Sequence, residues 1–283
     1  MEKVAGNNHY LNSEFVHVNS RECTLLLEFN ESGYSYSILQ NKTNELLYSG
    51  VSSTFLDFFN ITEKQLIEIF KNDILFNYAF ENVFVLIHNF YSTLVPVAFY
   101  NKDKNKELIS FNSELPSKEL VYLSDKVPKI DYFNIYVSTI NLNKILKDIF
   151  INFHIKSTKS ILLDYASKVT QKGEFLQLHI SNNFIFCVYF NKGKLEFSNS
   201  FRYNNEEDII FNVLNIYNQL GLNNERTVLH ISGNITKKDK KYDLFYTYIR
   251  NIEFLRKPIK INYSQRVKLI PDQYFVHHYV ALL

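Results

Sequence analysis

Glycine is scarce: the 283 residues hold only seven, against the roughly 7% usage of an ordinary chain. They stand singly, at Gly6, Gly33, Gly50, Gly173, Gly193, Gly221 and Gly233, and no G-x-G occurs. That excludes the dinucleotide fingerprint and the P-loop, both of which need several glycines to bring backbone amides onto phosphate. The two cysteines, Cys23 and Cys187, lie inside apolar strand patterns without C-x-x-C spacing, so they read as small core residues and not as a disulfide framework. No run approaches the ~18 apolar residues of a membrane span, and Met1 to Asn8 lacks the apolar stretch of a leader. A cytoplasmic protein with no membrane partner is expected. Neither sign of charge dominates, since 31 Lys+Arg stand against 29 Asp+Glu for a net +2. That is too little for long-range attraction to nucleic acid, which is not expected as a partner.

What is present is apolar and aromatic. Hydrophobic residues make up 46% and aromatics 16%, with 25 Phe, 20 Tyr and no Trp, a composition that buries a core and does not stay disordered. At roughly 150 residues per domain the length suits two domains.

The chain carries one pattern twice. Thr24 to Asn30, Tyr34 to Gln40 and Glu45 to Val51 are strand-like and separated by turn residues, which predicts an antiparallel meander. Thr62 with Gln65 forms a capping box and opens a helix with Leu66, Ile69 and Phe70 on one face. Val83 to Ile87 reads as a strand buried on both faces. A helix is expected between Val97 and Phe111, a strand over Tyr132 to Val137, and a helix over Asn141 to Phe150. In the second half Phe175 to Ile180, Phe184 to Phe190 and Leu195 to Ser200 repeat the meander. Asn205 caps a helix with Glu206, Glu207 and Asp208 in its first turn and Gly221 as its left-handed stop. Thr227 to Ile231 and Ile252 to Leu255 read as strands, Tyr242 to Arg250 as a helix, and Pro271 to Leu283 as a last helix. Both halves therefore read βββαβαβα. The expected fold class is α/β, with two ribonuclease-H-like domains over residues 1–158 and 159–283 and a hinge over Ser157 to Lys172. A ligand would sit between the halves, where the first-strand turns face one another.

Several segments resemble a particular family. Asn199-Ser200-Phe201-Arg202-Tyr203, the acidic helix start after it, Gln219-Leu220-Gly221-Leu222 and Leu229-His230-Ile231-Ser232-Gly233-Asn234-Ile235 are similar to those of an uncharacterised Bacteroidetes family with an actin-like ATPase fold. Thr93-Leu94-Val95-Pro96 and Tyr248-Ile249-Arg250-Asn251 also fit. More distantly the chain resembles the actin-related adaptors FtsA and PilM. The resemblance implies the fold and carries no established activity.

In actin-fold ATPases an Asp-x-Gly turn follows the first strand of each domain. The Asp organises Mg²⁺ and water, and the Gly lets amides reach phosphate. Here Glu28 and Asn30 stand at those positions in the first domain, and His179 and Ser181 in the second. An imidazole lacks the anionic oxygens Mg²⁺ prefers, and a Cβ at Asn30 or Ser181 hinders phosphate approach. A nuclease would need carboxylates converging on two metals, and only Glu28 is placed for that. No catalytic residues and no cofactor are expected, ATP with Mg²⁺ being the group the fold would bring. Should nucleotide bind, Ser32, Gly33, Asn182 and Gly233 are the candidate contacts.

Other residues have plainer readings. His277 and His278 are adjacent, and neighbours on a helix point about 100° apart, so they are not expected to chelate one ion. His179 and His230 are placed near the cleft. Lys237 to Lys241 reads as a solvated helix start, and the C-terminal helix, which lacks Lys and Arg, as a core-packing element and not a membrane tip. Arg202, between Phe201 and Tyr203 on an edge strand, either docks a partner strand or discourages edge aggregation. The expectation for function is a catalytically inactive, actin-like protein (a pseudo-ATPase) that scaffolds a protein partner of unspecified identity. The alternative is a weak nucleotide-dependent switch.

Overall fold

The computed structural model describes residues 18–52, 56–116, 119–170 and 173–283. The first meander forms as β1 (Cys23–Asn30), β2 (Gly33–Gln40) and β3 (Glu45–Val51), with β1 antiparallel to β2 and β2 to β3. Helix α1 (Glu63–Asn72) begins with the Thr62 and Gln65 capping box and leads to β4 (Asn82–His88), parallel to β1. Parallel pairing buries β1 on both faces, which is why Cys23 to Phe29 is an unbroken buried run.

After β4 the chain leaves the main sheet. Strands β5 (Ser92–Pro96), β6 (Leu120–Val127) and β7 (Tyr132–Thr139), with helix α2 (Asn105–Asn112), form a separate antiparallel sheet in the order β5-β7-β6. The strand expected over Tyr132 to Val137 is therefore real but belongs to this insertion. The third parallel strand of the lobe is β8 (His154–Ser157), reached through α3 (Ile140–Ile149) and paired with β4. Only four residues long and mixed in polarity, β8 carries no period of its own.

The segment expected as a hinge folds as helix α4 (Thr158–Val169). Its Leu162, Leu163 and Ala166 are buried against Phe186, Val188 and Phe190 of the second sheet. That sheet holds β9 (Glu174–Ile180), β10 (Phe184–Asn191) and β11 (Lys194–Arg202), then β12 (Leu229–Gly233) and β13 (Ile252–Phe254), in the order β11-β10-β9-β12-β13. The first sheet runs β3-β2-β1-β4-β8 over its equivalent strands, so the duplication read from the two meanders holds strand for strand. Helices α5 (Glu206–Gln219) and α6 (Lys240–Tyr248) cover the second sheet. Gly221 follows α5 in the left-handed region, φ +63°.

The chain then returns to the first lobe. Strand β14 (Asn262–Tyr263) adds in parallel to β3, α7 (Gln265–Lys268) follows, and the last helix α8 spans only Val276–Ala281. Pro271 lies in a turn before it and does not start the helix. Phe275, Val276, His277, His278 and Tyr279 are all buried, so α8 packs into the protein.

Candidate functional site

The turn after β1 is shaped by Asn30, whose side-chain oxygen accepts hydrogen bonds from the Ser32 amide at 2.9 Å and the Ser32 hydroxyl at 3.2 Å. Such an Asx turn folds the backbone without glycine. It sets Glu31 between the lobes. There the carboxylate accepts from the Phe90 amide at 2.8 Å, from the Asn183 side chain at 2.6 Å, and from Arg202 at 3.0 and 3.3 Å. The Arg202 guanidinium lies 4.5 Å from the centre of the Phe90 ring, a cation–π contact. Arg202 is thus engaged across the lobes in an ion pair that neither expectation for it foresaw.

The four candidate nucleotide contacts fall close to this turn. Asn182 donates to the Ser32 hydroxyl at 3.1 Å and accepts from Asn234 at 3.2 Å, a polar line that joins the two first-strand turns. Gly33 is buried at the start of β2, opposite Asn30. Gly233 has φ +91°, and a Cβ there would stand 2.2 Å from the Ile180 carbonyl oxygen. Its smallness serves the packing of β12 on β9, with its amide bonded to the Gln273 carbonyl at 2.9 Å.

Behind the turns lies a buried group absent from the sequence reading. Glu28 is 5% exposed and accepts from the Thr158 hydroxyl at 2.7 Å. His277 Nε2 lies 3.0 Å from one of its oxygens and His278 Nε2 3.8 Å from the other. The 100° between neighbouring helical residues does not keep these two rings apart, because the carboxylate sits between their ends. His278 Nδ1 contacts the Ser37 hydroxyl at 2.9 Å and Nε2 the Ser35 hydroxyl at 3.2 Å. His179 joins from the second lobe, its ring 4.9 Å from His277 and 5.1 Å from His88, and its Nδ1 2.9 Å from the Ser232 hydroxyl. His88 in turn bonds the Ser181 hydroxyl. His230, in contrast, stacks on Phe175 at 4.4 Å, away from this cluster.

The electrostatics separate these groups. Burial pushes the Glu28 carboxyl up, but its interactions with the neighbouring imidazoles of His277, His278 and His88 outweigh burial and hold it well below the usual carboxylate range. Burial lowers His88 and His278 to about 4, and His179 well below its ordinary value. These three imidazoles are neutral near neutral pH, and Glu28 is an anion.

Lys159 is a second surprise. It is 1% exposed, and its Nζ donates to the Phe90 carbonyl at 2.6 Å and the Ser92 hydroxyl at 3.0 Å. Burial lowers its pKa to about 7. Lysine in the first turn of a helix reads as solvated, and only the lobe packing reveals otherwise. The run Lys237 to Lys241 is as expected at the surface, with Lys240 paired to Glu207 at 3.1 Å.

Comparison with known proteins places the fold. Residues 12–252 match the model of a family described as a protein of unknown function, DUF3822. A Bacteroides thetaiotaomicron protein with an actin-like ATPase fold and unknown function superimposes with a TM-score of 0.72 at 20% identity, over 83% of this chain and 91% of that one. PilM in the PilM-PilN type IV pilus biogenesis complex superimposes at 0.57 and 13% identity, over 93% and 98%. The fold is thus actin-like, built from two ribonuclease-H-like lobes. No curated protein matches the sequence. No helix among the described residues is long and apolar enough to cross a membrane.

Proposed function

We propose the following for this chain, which belongs to the DUF3822 family of proteins of unknown function: it is a non-catalytic, actin-like scaffold that presents its sheet edge to a protein partner. The observation that carries this reading is the way the two first-strand turns bond to each other. Ser32 meets Asn182, and Glu31 holds Asn183 and Arg202, so the place between the turns is filled by contacts within the protein. Two further features count against a magnesium nucleotide. The groups nearest the junction include four imidazoles, His88, His179, His277 and His278, which Mg²⁺ disfavours as ligands. The lack of a side chain at Gly233 is accounted for by strand packing, since a Cβ there would stand against the Ile180 backbone. The residues present do not fit the group.

A scaffold needs a surface, and β11 supplies the longest one. It is an edge strand of nine residues, and its outer backbone groups are available for strand addition by an extended peptide. Partnership with another protein also has a precedent in this fold, since PilM occurs in a complex with PilN. The runner-up, a weak nucleotide switch using Ser32, Gly33, Asn182 and Gly233, is favoured only by the half-open position of Ser32 beside the exposed Asn182. It would require the Ser32–Asn182 and Glu31–Arg202 bonds to open.

Affinity purification with quantitative readout, run beside a phosphate-release assay on the same preparation, tests the proposal. A stoichiometric protein partner that survives ATP and Mg²⁺, with release no faster than buffer, is the expected pair of results. ATP turnover without any retained partner would overturn it.

A further inference from the structure

We propose that Glu28, His277 and His278 form a binding site for a divalent transition-metal ion of the zinc class, which staples the C-terminal helix to the first strand. One ligand atom from each residue lies within 4.8 Å of the others. Two ligands at about 2.0–2.1 Å in a tetrahedral zinc site stand roughly 3.4 Å apart; His277 Nε2 lies 3.0 Å from Glu28 Oε2 and His278 Nε2 3.8 Å from Oε1, so each imidazole has one carboxylate oxygen near that spacing.

A second observation points to a ligand. Both ring nitrogens of His277 are buried without a hydrogen-bond partner, although Nε2 is so near the carboxylate. An unsatisfied buried polar atom is costly, and a bound cation removes that cost by taking the imidazole lone pair.

The surrounding bonds are those a metal centre needs in its outer layer. Thr158 donates to Glu28 Oε2 at 2.7 Å and fixes the carboxylate. Ser37 lies 2.9 Å from His278 Nδ1; with Nδ1–H donating to the Ser37 oxygen, the Nε2 lone pair is left to face the ion. Ser35, at 3.2 Å from the same Nε2, turns its hydroxyl aside when the ion binds. Two imidazoles with one carboxylate select zinc, cobalt or nickel over Mg²⁺, which takes oxygen ligands. The site is therefore distinct in chemistry from the magnesium-nucleotide site of the fold, and it does not rest on the scaffold reading.

The test uses the full chain, stripped with a chelator and titrated with Zn²⁺ by calorimetry and with Co²⁺ by visible absorption. The expected result is one ion per chain, Co²⁺ bands of a four- or five-coordinate centre, and a raised melting temperature with Zn²⁺. Glu28→Gln, which keeps shape, and His277→Ala should each weaken binding by about 100-fold or more, while His154→Ala, at an exposed histidine, leaves it unchanged. Should His277→Ala fail to fold, the wild-type stoichiometry and Glu28→Gln decide the question. Binding well below one equivalent to wild type, or binding undiminished in Glu28→Gln, would overturn the site.

Discussion

Arg202 closes the last strand of the second meander onto Glu31 in the first, at 3.0 Å, beneath the ring of Phe90. The pair joins lobes whose partners lie on opposite sides of the interface. Glu31 is nearly buried, at 10% side-chain exposure against 42% for Arg202, so the two ends are not energetically alike.

Removing the arginine leaves Glu31 with the Phe90 amide and Asn183 as donors. Arg202→Ala should cost about 1 kcal/mol, as for a half-exposed ion pair. Glu31→Ala strands several donors at once and should cost about 2–4 kcal/mol. Urea unfolding of the two variants checks the order, and an equal or reversed cost would mean that the junction is not held through Glu31.

Gly233 has a packing role that any side chain would break. Gly233→Ala places a methyl group on the Ile180 carbonyl at a backbone angle that L-residues avoid. A loss of about 2–4 kcal/mol is expected, from overpacking together with strain, read as a lower denaturation midpoint. A larger side chain at Gly233 would unfold the strand pair, so loss of ligand binding in such a variant would report misfolding. Wild-type stability in Gly233→Ala would show that β12 and β9 are loosely packed.

Lys159 should give stability an unusual pH dependence. In the folded protein its pKa is about 7, whereas the unfolded chain holds the proton up to about 10.4. Between those values the unfolded state binds more protons, so stability rises with pH, by up to about 1.4 kcal/mol per unit. Below pH 7 the buried ammonium is charged, opposed by Arg202 and favoured by Glu31. Lys159→Met removes this slope, and the difference between wild type and variant should move in favour of wild type from pH 7 to 9. Parallel profiles would place Lys159 in water.

The sequence shows the duplicated meanders because their buried strands alternate with short polar turns, and the caps at Thr62 and Asn205 because capping is local. What it conceals is non-local. β8 is four residues without a period, the antiparallel insertion breaks the βα rhythm after β4, and α4 looks like a linker until the second sheet covers it. At the junction, Ser32 and Asn182 are legible as turn residues, and their meeting across the lobes bears out the idea of facing turns. The cluster of Glu28 with His277 and His278 is not legible, since it joins the first strand to the last helix, and only the chain's return through β14 brings them together. Arg202 lies on the edge strand that the sequence predicts, yet an edge residue reads as free until its partner lobe is known.

On the scaffold reading, contacts between the lobes occupy the place where an actin-like fold would hold nucleotide. Calorimetric titration of the purified chain with ATP in the presence of Mg²⁺ tests it most directly. No saturable heat and no phosphate release are expected; micromolar binding accompanied by hydrolysis would contradict that reading.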